Sequence, residues 1–289
     1  MNHRELISAL TPLYGAGEAR AIVRMVMEER FGLSQTDLLL GKDTDLSAND
    51  RTEFEKIARR LLAGEPVQHV LGYAYFCGHR FRVTPDVLIP RPETEELVRW
   101  ATDVSSRATQ PSPLRILDLC TGSGCIAISL ALAYPDADVC AVDISEPALA
   151  VAHENAQILG AENVRFFQGD ILSFDPFMQS QEAFAGCFDL ITANPPYVRE
   201  SEAADIHPAV LDHEPSLALF VPNDDPLRFY RAIAQIGLNT LAPSGHILVE
   251  INAAFPAETS QLFSQFEYTD IEVRNDQFGR PRMIKARKD

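Results

Sequence analysis

Apolar positions fall into three regimes along this chain. Over the first seventy residues they recur at spacings of three and four, the period of an amphipathic helix. The pattern predicts helices over 4–13, 18–31 and 51–62, the last capped by Ser47 or Asn49, with a short turn over 35–40. In the second of these, Ile22, Val23, Met25, Val26 and Met27 form an apolar face, while Arg20, Arg24, Glu28, Glu29 and Arg30 mostly face water. A small packed bundle accounts for this region without any ligand.

The second regime is short. Tyr73-Ala74-Tyr75-Phe76 and Arg80-Phe81-Arg82-Val83 flank Cys77-Gly78-His79, a glycine-containing connection of hairpin length. Pro85, Pro90 and Pro92 then lead to a helix over 93–106 with Leu97, Val98, Ala101 and Val104 on one side, and Gln110-Pro111-Ser112-Pro113 closes the connection.

From 114 onward strands and helices alternate. Strands are predicted over 114–119, 138–142, 164–167, 188–193 and 246–251, then near 269–274 and 281–287. Helices are predicted over 124–133, 147–159, 226–241 and 256–265. Such alternation implies helices covering a mostly parallel sheet. The last two strands, joined through Asp276-Gln277-Phe278-Gly279, read instead as an antiparallel hairpin. Residues 197–225 lack periodicity and exceed an ordinary connection, the mark of a functional or mobile segment.

Composition narrows the class. At 289 residues with 46% apolar content the chain has room for a full α/β domain and a smaller one. No stretch reaches the roughly eighteen apolar residues that cross a bilayer, and Met1-Asn2-His3-Arg4-Glu5 leads into a polar amphipathic segment, so a cytoplasmic enzyme is expected. The five cysteines (77, 120, 125, 140 and 187) are odd in number and form no CxxC pair. They read as reduced, buried thiols, and Cys120 and Cys125 as small residues flanking a tight turn. A net charge of −16 disfavours a broad phosphate-contacting surface and favours a protein partner over nucleic acid.

Candidate chemistry lies at two turns. The buried strand Leu114-Arg115-Ile116-Leu117-Asp118-Leu119 runs into Cys120-Thr121-Gly122-Ser123-Gly124 and then an apolar helix. Glycines there permit unusual φ and remove Cβ atoms, so a ligand can approach unpaired N–H groups at a helix N-terminus. The next strand ends in Asp143, nineteen residues beyond Gly124, where a carboxylate can accept hydrogen bonds from ribose hydroxyls. Ala127 stands at the third glycine position of the dinucleotide fingerprint, where alanine is tolerated. The turn and acid alone therefore leave an NAD-dependent oxidoreductase open beside other adenosine-cofactor enzymes.

The second turn is Asn194-Pro195-Pro196-Tyr197, directly after an apolar run. Taken alone it reads as a proline-stiffened turn. It also suits the methylation of a planar nitrogen, whose lone pair is delocalised and which must be gripped and aligned. Asn194 can accept one N–H through its side-chain carbonyl, the Pro195 carbonyl can accept another, and Tyr197 offers an aromatic face. The prolines stiffen the turn before substrate arrives.

Together, Asp118-x-x-x-Gly122-x-Gly124, Asp143, Gly169-Asp170 and Asn194-Pro195-Pro196-Tyr197 resemble the class I S-adenosylmethionine-dependent methyltransferases that modify amide or amino nitrogens, over about 112–289. Leu88-Ile89-Pro90-Arg91-Pro92-Glu93-Thr94-Glu95 narrows the resemblance to the protein-(glutamine-N5) methyltransferases that act on peptide chain release factors. Glu250-Ile251 and Asp276-Gln277-Phe278-Gly279-Arg280-Pro281-Arg282 extend it over most of the chain.

The resemblance implies a Rossmann-like, doubly wound, mostly parallel seven-stranded sheet with an antiparallel edge hairpin, plus a small N-terminal α-helical domain. The implied parts are a bundle over 1–72, a linking hairpin over 73–86 and a catalytic domain over 87–289. Asp118, Cys120, Thr121, Gly122, Ser123 and Gly124 would cradle the methionine part of the cofactor. Asp143 and Ile144 would hold its ribose, and Asp170 and Ile171 would border the adenine. Asn194 would serve both cofactor and substrate, with Pro195, Pro196 and Tyr197 completing the substrate grip. Arg91, Glu93 and Thr94 would form a lip, although charged residues at a helix start also serve as cap and solvated face. The helical bundle is equally well read as a substrate-recognition unit or a structural cap.

The implied cofactor is S-adenosyl-L-methionine, with S-adenosyl-L-homocysteine as product, and the implied substrate is a class I release factor. A monomer without stable nucleic-acid or membrane binding is expected. Asp205, His207, His213 and Glu214 show no metal-ligand spacing, so no metal is assigned.

Family members commonly carry Glu-Ile-Gly where this chain has Glu250-Ile251-Asn252, and a glycine-rich run where it has Pro222-Asn223-Asp224-Asp225-Pro226-Leu227. The rival substrate is an N6-adenine or N2-guanine in nucleic acid, flipped onto Tyr197. The acidic charge and the Arg91 segment count against it. A non-catalytic scaffold would be betrayed by decayed glycines or a lost Asn194, and both are intact.

Overall fold

The computed structural model describes residues 1–105, 113–173 and 188–289. Cys187 and Ser106, together with Gln110, Pro111 and Ser112 of the predicted connection, lie outside the described residues. The chain forms two compact units, one of Met1–Tyr73 with His207–His213, the other of Ala74–Ile206 with Glu214–Asp289.

In the first unit the helices predicted over 4–13 and 18–31 lie within the span His3–Phe31, which is two helices joined across a kink. The break falls at Gly15, whose φ of 78° and ψ of 159° no helix contains, three residues after Pro12. Asn2 and Glu5 close its start in a reciprocal capping box, and Gly32 ends it in the left-handed conformation. Ser47, and not Asn49, caps the helix Ala48–Leu62 by accepting from the Asp50 amide. Leu6, Leu10, Val23, Val26 and Met27 of the first helix pack against Phe54, Ile57 and Leu61 of this one, all buried. A one-turn helix, Val67–Leu71, was not legible from periodicity because it is too short to show one.

The aperiodic segment after Asn194 is ordered in short pieces: 3₁₀ turns at Glu200–Asp205 and Ser216–Ala218, and a helix at Pro208–His213. That helix belongs to the first unit, where His207 stacks on Tyr14 with ring centroids 5.4 Å apart.

The hairpin is β1 (Tyr73–Phe76) with β2 (His79–Arg82), as the glycine connection predicted. Asn155 ties it down. Its side-chain oxygen accepts from the Arg82 amide at 2.6 Å, and its side-chain nitrogen donates to the Ser123 carbonyl at 2.9 Å.

The remaining strands are β3 (Arg115–Leu119), β4 (Asp138–Asp143), β5 (Val164–Gln168), β6 (Phe188–Ala193), β7 (Val198–Arg199), β8 (Phe220–Val221), β9 (Leu241–Glu250), β10 (Thr269–Asn275) and β11 (Pro281–Arg287). Seven of them form one sheet in the order β10-β11-β9-β6-β3-β4-β5. Pairing is parallel from β9 through β5, and antiparallel where β11 meets β9 and β10. The inner strands are near-continuous apolar runs because helices cover both faces. Ile116, Leu117, Val139, Val142, Ile191 and Ile247 are fully buried. β9 starts earlier than predicted, because Leu241 pairs with Phe188 before a register shift, and the preceding helix is accordingly Arg228–Thr240. The strands β7 and β8 form a separate parallel pair.

Chain order reverses between β3 and β6. β4 and β5 continue on one side of β3, whereas β6 and β9 continue on the other. At such a reversal the loops leaving the carboxyl ends of the strands part, and a crevice opens. No helix among the described residues is long and apolar enough to cross a membrane.

Candidate active site

The crevice holds a cavity of about 300 Å³ within the second unit. Four strand ends meet in register at the crevice: Leu119 of β3 lies opposite Val142 of β4 and Ala193 of β6, and Ala193 lies opposite Val249 of β9. The glycine turn, Asp143, Asn194 and Glu250 all sit at or just past these ends.

The glycine turn has positive φ at three alternate positions, 59° at Cys120, 55° at Gly122 and 80° at Gly124. Cys120 is strained there, and burial holds its thiol protonated. Gly124 is required twice over, since a Cβ would meet Ile128 Cδ1 at 2.8 Å and the Ala152 Cβ at 3.1 Å. Gly122 has open space where a Cβ would stand, on the cavity side.

Asp118 braces the turn from behind. It is fully buried, accepts from the hydroxyls of Thr121 at 2.6 Å and Thr192 at 2.7 Å, and does not line the cavity. Burial pushes its pKa up to about 7, against the lowering effect of the two hydroxyls. Asp143 accepts from the Gly122 amide at 2.8 Å and the Ser145 amide at 2.9 Å and does line the cavity, as do Cys120, Thr121, Gly122, Ser123 and Ile144. Asp170 and Ile171 stand on the same wall, the Asp170 carboxylate being held by the Leu172 amide at 2.9 Å.

These groups fit S-adenosylmethionine. A Cβ-free turn lets a chain of atoms lie against backbone N–H groups, a carboxylate faces the position of a ribose diol, and Ile144, Ile171 and Leu172 offer apolar surface to a flat base.

At the other end of the cavity Asn194 is half-buried. Its Nδ2 donates to Thr94 Oγ1 at 3.2 Å, the Thr94 hydroxyl donates to Glu250 Oε2 at 2.6 Å, and the Tyr197 hydroxyl donates to Glu250 Oε1 at 2.8 Å. Arg282 Nη1 completes the chain by donating to the Tyr197 oxygen at 3.3 Å. Glu250 is buried at the end of β9. Burial raises its pKa, while the Thr94 and Tyr197 hydroxyls and Arg282 oppose the rise.

The structure places the expected site residues unequally. Asn194, Pro196, Arg91 and Thr94 line the cavity, whereas Pro195, Tyr197, Gly124 and Glu93 do not. Tyr197 turns its hydroxyl to Glu250 and packs its ring against the main core, so the aromatic wall of the cavity comes from Phe220 and Phe229. Those two residues carried no sequence signal, because Phe220 lies inside the aperiodic segment and Phe229 reads as one apolar position of the helix that follows it. Glu214 binds Arg91 at 2.6 Å and the Ile89 amide at 3.0 Å, which fixes the lip. Among the described residues no group of His, Cys, Asp and Glu is arranged to hold a metal ion.

Comparison with known proteins agrees with this geometry. A family model described as a methyltransferase domain matches residues 111–276, and one described as a PrmC N-terminal domain matches residues 5–72. A release factor glutamine methyltransferase of Bacteroides thetaiotaomicron is 44% identical over 280 residues, 97% of this chain and 96% of that protein. One of Flavobacterium psychrophilum is 38% identical over 286 residues, 99% and 98% of the two chains. The solved structure of a methyltransferase from Pyrococcus furiosus superimposes with a TM-score of 0.50 at 14% identity, over 84% of this chain and 99% of that one, a likeness of fold. With near-full-length identity of this order, on a class I methyltransferase fold that carries the Asn194 turn beside a cofactor crevice, the chain belongs to the release factor glutamine methyltransferase family.

Proposed function

We propose that the protein transfers a methyl group from S-adenosylmethionine to the side-chain amide N5 of a glutamine in class I peptide chain release factors. The observation that carries this reading is Asn194 at the carboxyl end of β6, held through its Nδ2 by Thr94 and exposed to the same cavity as the glycine turn.

Bound in the crevice, S-adenosylmethionine supplies a methyl group already made electrophilic by its sulfonium. Residues Cys120 to Ser123 would hold its methionine part, Asp143 its ribose, and Asp170 with Ile171 its adenine. The protein's own contribution is alignment. A glutamine amide is a weak nucleophile, so Asn194 Oδ1, which faces the cavity, would accept one of its N–H bonds and aim the nitrogen. Hydrogen bonding at the N–H group would keep electron density on the nitrogen as the sulfur–methyl bond breaks and the nitrogen–methyl bond forms, after which one N–H proton leaves to solvent. Phe220, Phe229 and Leu217 exclude water from the aliphatic stem of the glutamine.

We assign substrate recognition to the helical unit of residues 1–72, the linking role to residues 73–86, and catalysis to residues 87–289. The acidic charge suits a monomeric cytoplasmic enzyme that meets a protein without holding nucleic acid stably.

The test is to incubate the protein with labelled cofactor and separate pools of release factor, tRNA, rRNA and DNA, then map the labelled atom by mass spectrometry. Label on a release-factor glutamine, lost in Asn194→Ala while S-adenosylhomocysteine still binds, is the expected result. Label confined to nucleic acid, or near-normal turnover by Asn194→Ala, would overturn the assignment.

A further inference from the structure

We propose that Glu250 and Thr94 are positioning residues that set the rotational sense of the Asn194 side-chain amide, so that its oxygen and not its nitrogen faces the substrate. The inference rests on the glutamine-amide reading above and deepens it.

The argument is one of hydrogen-bond bookkeeping along the chain Glu250, Thr94, Asn194. An ionised carboxylate only accepts, and a threonine hydroxyl has a single proton. At 2.6 Å from Glu250 Oε2, in a buried position, the Thr94 proton is committed to that oxygen. Towards Asn194 the hydroxyl then has only lone pairs to offer. The group 3.2 Å from it must be a donor, which is the NH2 of the amide. Asn194 Oδ1 is thereby turned away from Thr94, and it makes no hydrogen bond among the described residues.

The alternative rotamer differs only by exchange of oxygen and nitrogen about the last side-chain bond, and in isolation the two are nearly equal in energy. Flipped, Asn194 would present N–H groups to a substrate amide that itself presents N–H groups. Donor would face donor, and the nitrogen would be neither held nor polarised. A preference of sense is therefore a catalytic requirement, and Pro195 cannot supply it because it acts on the backbone.

Burial raises the Glu250 pKa, and the donors on both sides oppose that rise and favour the ionised acceptor. Its Oε1 accepts from the Tyr197 hydroxyl at 2.8 Å, and Arg282 Nη1 donates in turn to the Tyr197 oxygen at 3.3 Å. Arg282 is itself held by Asp276, at 3.3 Å. The donors of Asn194, Thr94, Tyr197 and Arg282 Nη1 all run towards Glu250, while Arg282 Nε donates outward to Asp276, so each link has one polarity. The same carboxylate thus fixes both ends of the Asn194-Pro195-Pro196-Tyr197 turn, Asn194 through Thr94 and Tyr197 directly.

Three variants and two readouts test this. Thr94→Val keeps shape and removes the hydroxyl; Thr94→Ser keeps the hydroxyl; Glu250→Gln lets the hub donate, so that the Thr94 proton can turn to Asn194. Thr94→Val and Glu250→Gln are expected to lower kcat for glutamine methylation by about 100-fold, the scale of a misaligned or missing polar contact. S-adenosylhomocysteine affinity should change less than threefold, and Thr94→Ser should restore most of the turnover. Independently of activity, the Asn194 side-chain NH2 in 15N-labelled protein, identified by its loss in Asn194→Ala, should shift in Thr94→Val and return in Thr94→Ser. Absence of methylation by the parent enzyme would strike the proposed substrate and leave the spectroscopic test standing. An Asn194 NH2 signal indifferent to Thr94→Val, or a kcat within threefold of the parent in both Thr94→Val and Glu250→Gln, would overturn the relay.

Discussion

Asn252 donates its side-chain amide to the main-chain carbonyl of Tyr197 at 3.0 Å and to Glu202 Oε2 at 3.1 Å, so a residue two past the end of β9 ties down the end of the Asn194 turn. In this chain a side chain makes a tether that glycine cannot. Replacing it, Asn252→Ala, removes these two hydrogen bonds and the one its Oδ1 accepts from the Ala254 amide at 2.8 Å, and should cost about 1 kcal/mol of unfolding free energy in denaturant titration. The turn would also lose a fixed end, and KM for the protein substrate should rise more than kcat falls. Unchanged stability together with unchanged KM would show the tether to be idle.

The two glycines of the cofactor turn should fail in different ways. Gly124→Ala meets the Ala152 Cβ at 3.1 Å and must hold φ near 80°, so it should lower stability by about 2 kcal/mol. Gly122→Ala has open space and a milder φ of 55°, so its stability loss should be nearer 1 kcal/mol. Its new methyl, however, stands on the cavity side. S-adenosylhomocysteine binding by calorimetry should therefore weaken more in Gly122→Ala than in Gly124→Ala, while thermal unfolding ranks them oppositely. The same rank in both measurements would contradict this division of roles.

What the sequence made legible was local. Gly122, Asp143 and Asn194 declare themselves because each sits at the end of an apolar run, and parallel β-sheet chemistry gathers such ends at one edge. The Glu250–Thr94 contact joins residues 156 apart and has no local pattern to betray it. Tyr197 has the right chemistry for stacking, yet its hydroxyl found a buried carboxylate, a partner that only the pairing of β6 with β9 brings close. In the helical unit the two helices expected over 4–13 and 18–31 meet at a kink on Gly15, which the gap between the two periodic runs already marked. Two-residue strands such as β7 and β8 are too short to show any period.

Arg91 at the cavity lip rests on a carboxylate whose side chain is only 1% exposed, that of Glu214. Arg91→Ala would leave this buried charge with the Ile89 amide as its remaining hydrogen-bond donor. Breaking a fully buried pair from one side costs about 3–5 kcal/mol, but Arg91 is 33% exposed and water can enter, so a loss of about 2 kcal/mol is expected. Arg91→Ala with Glu214→Gln removes the stranded charge and should recover more than half of that loss. Equal instability of the single and double variants, measured by urea unfolding, would locate the cost elsewhere.

Asp118 predicts how stability depends on pH. Its folded pKa, about 7, lies above the value near 3.9 of an unfolded aspartate, so the folded state binds the proton more tightly. The contribution is fully present below the unfolded value and is lost as pH rises through 7. Between pH 5 and 8 the native chain carries more protons at this site than the unfolded one, and ionising it behind the glycine turn should cost about 3 kcal/mol. Other groups titrate in the same window, so the measurement is a difference. Unfolding free energies of the parent and of Asp118→Asn, which cannot ionise, should diverge with rising pH in favour of the variant's slope, whatever their offset at pH 5. The hydroxyls of Thr121 and Thr192 reduce the divergence by donating to the carboxylate, so Thr192→Val should enlarge it. Parallel profiles across the window would mean that the carboxyl is ionised at little cost, and that the two hydroxyls outweigh burial.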